Sequence, residues 1–247
     1  MMKEKVSCNL CGQNNNQFLF KKEGYNFVKC KNCGLIYVNP RDDQKTLSQT
    51  YLEPYFHIKD FQKENPKIVG YFDYAFDQRV FEDYFEAIMT QIAFYKSPPG
   101  KVLEVGSGLG FFLNRAQAHG WEVCGVEISD FAVNYIKKTF GHKMMLGPLK
   151  KDSFPKQYFD VIALFQVIEH VADPLEELKI IYNFLKKGGL LVLTAPDADS
   201  WTARLLGRKW FSYRPQEHLY NFTSQTMEKM LQKAGFSNII IHPDNYI

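Results

Sequence analysis

Glu104 ends the run Lys101-Val102-Leu103-Glu104, one residue before Val105 and the loop Gly106-Ser107-Gly108-Leu109-Gly110. Val102, Leu103 and Val105 read as a short buried strand, and the three glycines remove side chains where the chain must turn sharply into a helix over 109–118. A tight turn of this kind leaves backbone N–H groups facing a bound molecule. A carboxylate at the end of a buried strand is costly without a partner. A pyrophosphate repels it, whereas an ammonium group pairs with it, so the loop suits a zwitterionic ligand and not a dinucleotide. A second strand over 122–126 ends at Glu127, 21 positions after Gly106, where an acid that holds ribose hydroxyls belongs. The competing reading is a glycine turn with two surface acids.

Two knuckles, Cys8-Asn9-Leu10-Cys11-Gly12 and Cys30-Lys31-Asn32-Cys33-Gly34, are separated by eighteen residues. Four thiolates at C-x2-C spacing satisfy tetrahedral zinc and leave no open position, so Cys8, Cys11, Cys30 and Cys33 are expected to hold a structural metal. Phe18–Phe20 and Phe27–Lys29 supply short strands for a ribbon over 1–40. A unit this small buries too little area alone, and metal binding would supply its folding energy. Disulfides and an iron–sulfur cluster are the alternatives. Only Lys21, Lys22, Lys29 and Lys31 accompany the ribbon, which favours a scaffolding or substrate-lid role over nucleic-acid binding.

Three residues could move a proton. Glu169 and His170 follow the apolar run Phe159–Phe165, and ligands of open α/β sheets bind at such carboxyl ends. His218 lies in Pro215-Gln216-Glu217-His218-Leu219-Tyr220, far enough beyond the fifth strand to fold back over a ligand. A histidine near neutral pKa in a cleft can accept a proton; fixing the loop through a backbone hydrogen bond is the rival role. Trp201, Trp210, Phe211 and Tyr213, with Arg204, Arg208, Lys209 and Arg214, make the segment 196–222 aromatic and basic, as suits a flat or anionic substrate.

The elements that must position these residues alternate strand and helix. A linker region over 41–98 is rich in aromatics and ends in a helix over 76–95, with Val80, Tyr84, Ile88 and Ile92 on one face. Tyr71 and Tyr74 share a helix face and either line a pocket or simply pack. Ser129 caps a helix to Phe140, residues 142–147 form a third strand, and Phe159–Phe165 is a central parallel strand. Asp173-Pro174 opens a helix that Lys186-Lys187-Gly188-Gly189 closes. Leu190–Thr194 is the fifth strand, Ser224–Ala234 the last helix and Phe236–Ile241 a sixth strand. The pattern predicts an α/β, doubly wound Rossmann-like sheet over 99–247, preceded by the small ribbon.

The 247 residues are 45% hydrophobic and 15% aromatic, enough for a sizeable core. Thirty basic against 27 acidic residues give a charge of +3 without a long basic run, which disfavours nucleic acid as a partner. No leader or membrane span is read from the sequence. Five cysteines, four of them paired as ligands, fit a reducing cytoplasm, with Cys124 in the core.

These residues together resemble the class I S-adenosylmethionine-dependent methyltransferases. The matches are V-L-E-V-G-S-G-L-G at 102–110, G-V-E at 125–127, F-D-V-I-A-L-F at 159–165, V-I-E-H-V-A-D-P at 167–174, L-K-K-G-G-L-L-V-L-T-A-P at 185–196 and E-H-L-Y-N-F-T at 217–223. The E-H-V-x-D-P portion is similar to the ubiquinone-type small-molecule branch. The resemblance implies that Glu104, Gly106, Ser107, Gly108 and Gly110 hold the methionine end of the cofactor. It implies that Glu127 takes the ribose hydroxyls, with Ile128 beside it, and that Asp152 passes the adenine. Gln166 and Tyr71 complete the candidate cofactor set. The cysteine pairs and tyrosines also resemble part of a group of sugar C-methyltransferases, which usually carry a large additional C-terminal domain. The class has seven strands; His242–Ile247 is too short for a return strand, so the expectation is that either the sheet lacks one member or the chain is truncated. The implied activity is methyl transfer to O or C of a small molecule, sugar or glycan/lipid precursor. An RNA methyltransferase carrying a zinc ribbon and a non-catalytic cofactor-binding domain are the competing functions.

Overall fold

The computed structural model describes residues 3–43 and 78–243. In chain order the elements are β1 (Lys3–Glu4), β2 (Asn16–Lys22), β3 (Tyr25–Cys30), β4 (Ile36–Val38), β5 (Arg41–Asp42) and α1 (Gln78–Ala93). Then come β6 (Lys101–Val105), α2 (Phe111–Ala118), β7 (Glu122–Glu127), α3 (Asp130–Phe140), β8 (Lys143–Leu146) and β9 (Phe159–Phe165). The remainder is α4 (Pro174–Phe184), β10 (Leu185–Thr194), α5 (Trp201–Leu206), β11 (Tyr220–Asn221) and α6 (Ser224–Ala234). Tyr71 and Tyr74, and the aromatic stretch around Tyr51–Phe61, lie outside the described residues.

The main sheet is five parallel strands in the order β8-β7-β6-β9-β10. The order reverses direction at β6/β9, so the turns after those two strands open at one topological switch point. Alternate residues serve two cores. Val102, Val123, Val161 and Ala163 face Tyr84, Phe85, Ile88 and Met89 of α1 and Phe112 and Leu113 of α2. Leu103, Val105, Ile162 and Leu164 face Ile180, Ile181 and Phe184 of α4. Apolar residues on both faces are what a covered parallel sheet requires.

Local signals act as their chemistry dictates. Ser129 Oγ accepts the Ala132 N–H and Asp173 Oδ1 accepts the Glu176 N–H, capping α3 and α4. Pro174 occupies the first turn of α4. Asp160, at the far end of β9, accepts the Lys101 N–H at 2.8 Å and the Lys186 ammonium at 2.8 Å, tying three strands together away from the loop side.

Two elements differ from the sequence expectation. The run Lys186–Gly189 does not close α4: the helix stops at Phe184, and Leu185 already pairs with Phe159. Lys186 to Gly189 form a bulge before Leu190 resumes the ladder opposite Val161, and Lys186 is held by Asp160 instead of capping a helix. Phe236–Ile241 is not a strand. A strand needs a ladder partner; here Phe236 packs on Tyr182, and among the described residues nothing pairs with the outer edge of β10.

The second sheet, in the order β11-β4-β3-β2, carries the cysteine knuckles, and its edge strand β11 comes from the far end of the chain. One face sets Val28, Cys30 and Tyr37 against Leu175 and Leu178 of α4 and Met227, Met230 and Leu231 of α6. The other sets Tyr25, Phe27, Ile36 and Val38 against Ala203, Trp210 and Tyr213. Trp210 and Tyr213 are therefore core of the ribbon and not a substrate platform, whereas Trp201 and Phe211 are exposed. Because the ribbon faces are covered by α4, α6 and the Trp210–Tyr213 stretch, all from the second half of the chain, the two sheets should unfold together. Met230, fully buried between them, should cost about 2–5 kcal/mol when replaced by alanine. Cysteine accessibility to a thiol reagent and near-UV circular dichroism should report one shared midpoint for that variant; separate midpoints would show an autonomous ribbon.

Candidate functional site

The glycine loop after β6 takes the left-handed conformation at Gly106, Gly108 and Gly110, with φ of 73°, 52° and 80°. A Cβ on Gly106 would lie 2.5 Å from Val167 Cγ2, so the loop packs directly against the turn that follows β9. Val167 had no signal in the sequence beyond being apolar. Ser107 is buried, and its hydroxyl donates to the Glu104 carbonyl at 3.1 Å, which leaves its role in the loop to the backbone.

Glu104 is 3% exposed and its Oε2 has no hydrogen-bond partner. Burial, followed by the nearby Glu127 carboxylate, pushes its pKa well above the usual carboxylate range. A buried acceptor left open at the mouth of a glycine loop fits a bound ammonium group, as S-adenosylmethionine carries. Glu127 is also buried, and burial raises its pKa against three backbone donors. Its Oε1 accepts from Ile128 N and Ser129 N at 2.8 and 2.9 Å, and its Oε2 from Gly108 N at 2.9 Å. Glu127 thus joins the end of β7 to the loop after β6, while the side chain of Ile128 stands exposed beside it. Gln166 holds a positive φ of 55° at the end of β9, with its N–H on the Thr194 carbonyl of β10. Asp152 lies in an exposed turn between β8 and β9.

Glu169, His170 and His218 come together although 47 or more residues of chain separate the first two from the third. The two imidazoles meet edge to face at 4.7 Å between centroids. Their ligating atoms and a Glu169 carboxylate oxygen all lie within 4.8 Å of one another. His170 Nδ1 is 3.1 Å from the Glu217 carbonyl, and the Ser212 backbone lies beside the His218 ring. Glu169 is 1% exposed with both oxygens unpartnered, and Oε1 is 3.9 Å from His170 Nε2. Burial pushes Glu169 up to about 8. Burial, with Arg214 adding, pushes His170 down to about 4; burial, then His170 and Arg214, pushes His218 to about 2. Both rings are therefore neutral across the physiological range, and the near-neutral pKa expected of His218 from the sequence does not hold: burial disfavours its imidazolium, which ionisation of Glu169 would have to offset.

The metal candidates also converge. Cys8 Sγ is 3.4 Å from Cys33 Sγ, and Cys11 Sγ 3.4 Å from Cys30 Sγ. Those separations are far longer than a disulfide and near the roughly 3.8 Å expected between sulfurs of a tetrahedral zinc site with 2.3 Å bonds. Gly12 and Gly34 curl each knuckle with φ of 79° and 87°, and their N–H groups return to the Cys8 and Cys30 carbonyls.

With this geometry in place, comparison with known proteins is informative. A family model described as a methyltransferase domain matches residues 76–240. A phosphoethanolamine N-methyltransferase of Zea mays is 26% identical over 155 residues, covering 58% of this chain and 29% of that protein. A tRNA U34 carboxymethyltransferase of Alteromonas mediterranea is 29% identical over 160 residues, covering 59% of this chain and 47% of that protein. The chain therefore spans less than half the length of either. An S-adenosylmethionine-dependent methyltransferase structure from Thermotoga maritima superposes with a TM-score of 0.54 at 22% identity, over 74% of this chain and 81% of that one, and shares the fold.

Glu104 offers a direct test. Because burial lifts its folded pKa above the unfolded one, it contributes stability fully below the usual carboxylate range and loses it as pH rises through the raised value. Glu104→Gln should therefore stabilise the ligand-free protein by roughly 1–3 kcal/mol at pH 8 and by little at pH 4, while weakening S-adenosylmethionine binding. Thermal melts across pH, with calorimetry, check both. A variant that melts lower at pH 8 would place a hidden partner on Glu104.

Proposed function

The chain belongs to the methyltransferase-domain family and is an S-adenosylmethionine-dependent methyltransferase, and from that premise we propose that it methylates O or C of a small-molecule, sugar or glycan/lipid-precursor acceptor. The observation that carries this reading is the Glu169–His170–His218 cluster, whose turn also carries Val167, the residue packed on Gly106 of the glycine loop. The cofactor supplies a sulfonium-bound methyl group of high electrophilicity. The chain's own residues then have three tasks.

Glu104 pairs with the ammonium group, and the N–H groups around Gly106, Gly108 and Gly110 face the carboxylate. Glu127 receives the ribose hydroxyls, with Ile128, Gln166 and Asp152 bordering the nucleoside. The closure of the loop on Val167 excludes water and fixes the donor for in-line displacement. A neutral imidazole takes the acceptor's proton, either as a hydroxyl oxygen attacks the methyl or beforehand, as an enolate forms whose carbon then attacks. His218 is the proposed acceptor of that proton, and His170 shapes the site through its contact with the His218 ring. Glu169 is the group whose charge would balance the imidazolium. Tyr71 is the further cofactor-lining candidate.

Zinc at Cys8, Cys11, Cys30 and Cys33 is proposed as structural, since four sulfurs leave no position for substrate. We read the protein as cytoplasmic, in keeping with thiols held as ligands; among the described residues no helix is long and apolar enough to cross a membrane.

Two measurements test these assignments. Metal analysis of untagged protein should find one zinc per chain, lost when Cys30 and Cys33 are replaced by serine; an ordered ribbon without metal would remove the claim. Radiolabelled methyl transfer should be surveyed over hydroxylated small molecules, nucleotide-linked sugars and RNA, with incorporation expected in the first two. In single turnover with saturating cofactor, His218→Gln should keep cofactor affinity and lower transfer about 10²-fold or more, the scale of a positioned proton acceptor. His170→Gln should lower it less. Normal transfer by His218→Gln beside a dead His170→Gln would reverse the two roles, and exclusive labelling of RNA would overturn the acceptor class.

A further inference from the structure

His218 belongs to a segment, 217–221, that has no regular helix of its own to hold it. Main-chain contacts fix it instead: the Glu217 and His218 N–H groups donate to the Arg214 carbonyl at 3.1 and 2.7 Å, and contacts to two other elements add to these. The Leu219 and Tyr220 N–H groups both donate to the Glu169 carbonyl, at 2.9 and 3.2 Å. The Leu219 carbonyl accepts the Val38 N–H at 3.0 Å, and Tyr220 and Asn221 pair with Tyr37 and Ile36 of the ribbon. The segment is thus a splint between the turn after β9 and the cysteine ribbon.

One side chain closes the third side. Arg41 is 8% exposed, and its guanidinium is used in full view of three partners. Nε donates to Glu4 Oε1 at 2.9 Å, and Nη1 donates to the Ala172 carbonyl at 2.9 Å and to Tyr220 Oη at 3.1 Å. Tyr220 Oη donates in turn to the Ala172 carbonyl at 3.0 Å. A buried, forked cation with fixed acceptors holds geometry in a way that a single hydrogen bond does not. Ala172 closes the same turn that carries Glu169 and His170, so the fork joins both halves of the histidine cluster to the ribbon.

We propose that Arg41, acting through Tyr220, is a positioning residue of this methyltransferase, and that the ribbon's part in the reaction is to hold His218 against Glu169 and His170. The inference rests on the reading that this cluster serves methyl transfer, and its physical content can be measured without an acceptor. Val167 of the turn after β9 touches the cofactor loop, but Leu103 and Val105 of the strand leading into it are buried against Ile180, Ile181 and Phe184 and should not sense the loss of one hydroxyl.

The test uses the full chain with its metal, comparing wild type with Tyr220→Phe and Arg41→Gln. Tyr220→Phe keeps the ring and removes only the hydroxyl, so it guards against a fold lost in the arginine variant. Amide exchange at Leu219 and Tyr220 should quicken about 10-fold or more in Tyr220→Phe, as local opening without global unfolding requires. The ring resonances of His170 and His218 should shift, while S-adenosylmethionine affinity, zinc content and exchange at Leu103 and Val105 stay as in wild type. With an acceptor, kcat should fall and the cofactor KM hold. Unchanged exchange at Leu219 and Tyr220 would overturn the proposal. So would quickened exchange at Leu103 and Val105 alike, which marks general destabilisation. If instead both histidine variants transfer normally while Tyr220→Phe still loosens only this segment, the clamp stands and the proton-acceptor role alone fails.

Discussion

The Glu169 carbonyl accepts two successive N–H groups, from Leu219 and Tyr220, and much of the molecule is arranged to let it do so. Glu169 stands just beyond β9, at the carboxyl edge of the parallel sheet. Tyr220 is the start of β11, the edge strand of the ribbon. The carbonyl is therefore where the two sheets meet. The ribbon in turn cannot bury itself: Phe27, Ile36 and Val38 on one face, and Val28, Cys30 and Tyr37 on the other, need partners that a few short strands cannot supply. Those partners arrive from α4, α6 and the Trp210–Tyr213 stretch. Covering the ribbon brings the chain back across the sheet edge, and His218 comes with it.

This explains why the two halves of the site differed in legibility. The half proposed to bind the cofactor is local. Glu104, the glycine loop and Glu127 lie in one β-α-β unit, so spacing along the chain is spacing in space, and strand ends, caps and left-handed glycines follow from residue type. The cysteine knuckles are local in the same sense, each a turn closed by its own glycine. The histidine half is non-local. Glu169 and His170 are marked by following a buried strand, and His218 by its distance past the next one, yet nothing in the sequence said the rings would touch. Arg41 carried no signal at all, since a lone arginine after a ribbon looks like any solvated cation. Its partners, the Ala172 carbonyl and Tyr220 hydroxyl, are defined only once the ribbon sheet has recruited β11. Trp210 and Tyr213 misled for the complementary reason: aromatic composition near a site does not say which of two surfaces the rings cover. The glycines at 188 and 189 misled because a helix stop and a β-bulge draw on the same residue.

Two buried carboxylates at the carboxyl edge of the sheet keep oxygens without a hydrogen-bond partner, Glu104 at Oε2 and Glu169 at both. Asp160, by contrast, has a lysine and a backbone donor, which hold it below the usual carboxylate range even though burial works the other way. The difference is in kind. Asp160 sits at the amino edge of the sheet, where it stitches strands. Glu104 and Glu169 sit at the carboxyl edge, where an incoming charge or proton would complete them. Leaving a carboxylate open costs stability in the empty protein and is recovered when the right charge arrives, which is how a site favours a cationic ligand over a neutral one of the same shape.

Glu127 resolves what would otherwise be a conflict between loop and ligand. A carboxylate already engaged by three backbone N–H groups has little acceptor capacity to spare. Two of those donors share Oε1, however, and only Gly108 uses Oε2. Each oxygen offers two acceptor directions, so Oε2 retains one while the loop stays tied to β7. An alanine there would remove both the tie and the open direction. A glutamine would keep an acceptor for one side and present an N–H to the other, where Gly108 or the Ile128–Ser129 pair also presents N–H. The carboxylate is thus demanded twice, once by the loop that must be rigid before the cofactor binds and once by the ribose proposed to meet it. That double demand places an acid, and not merely a polar residue, at the end of β7.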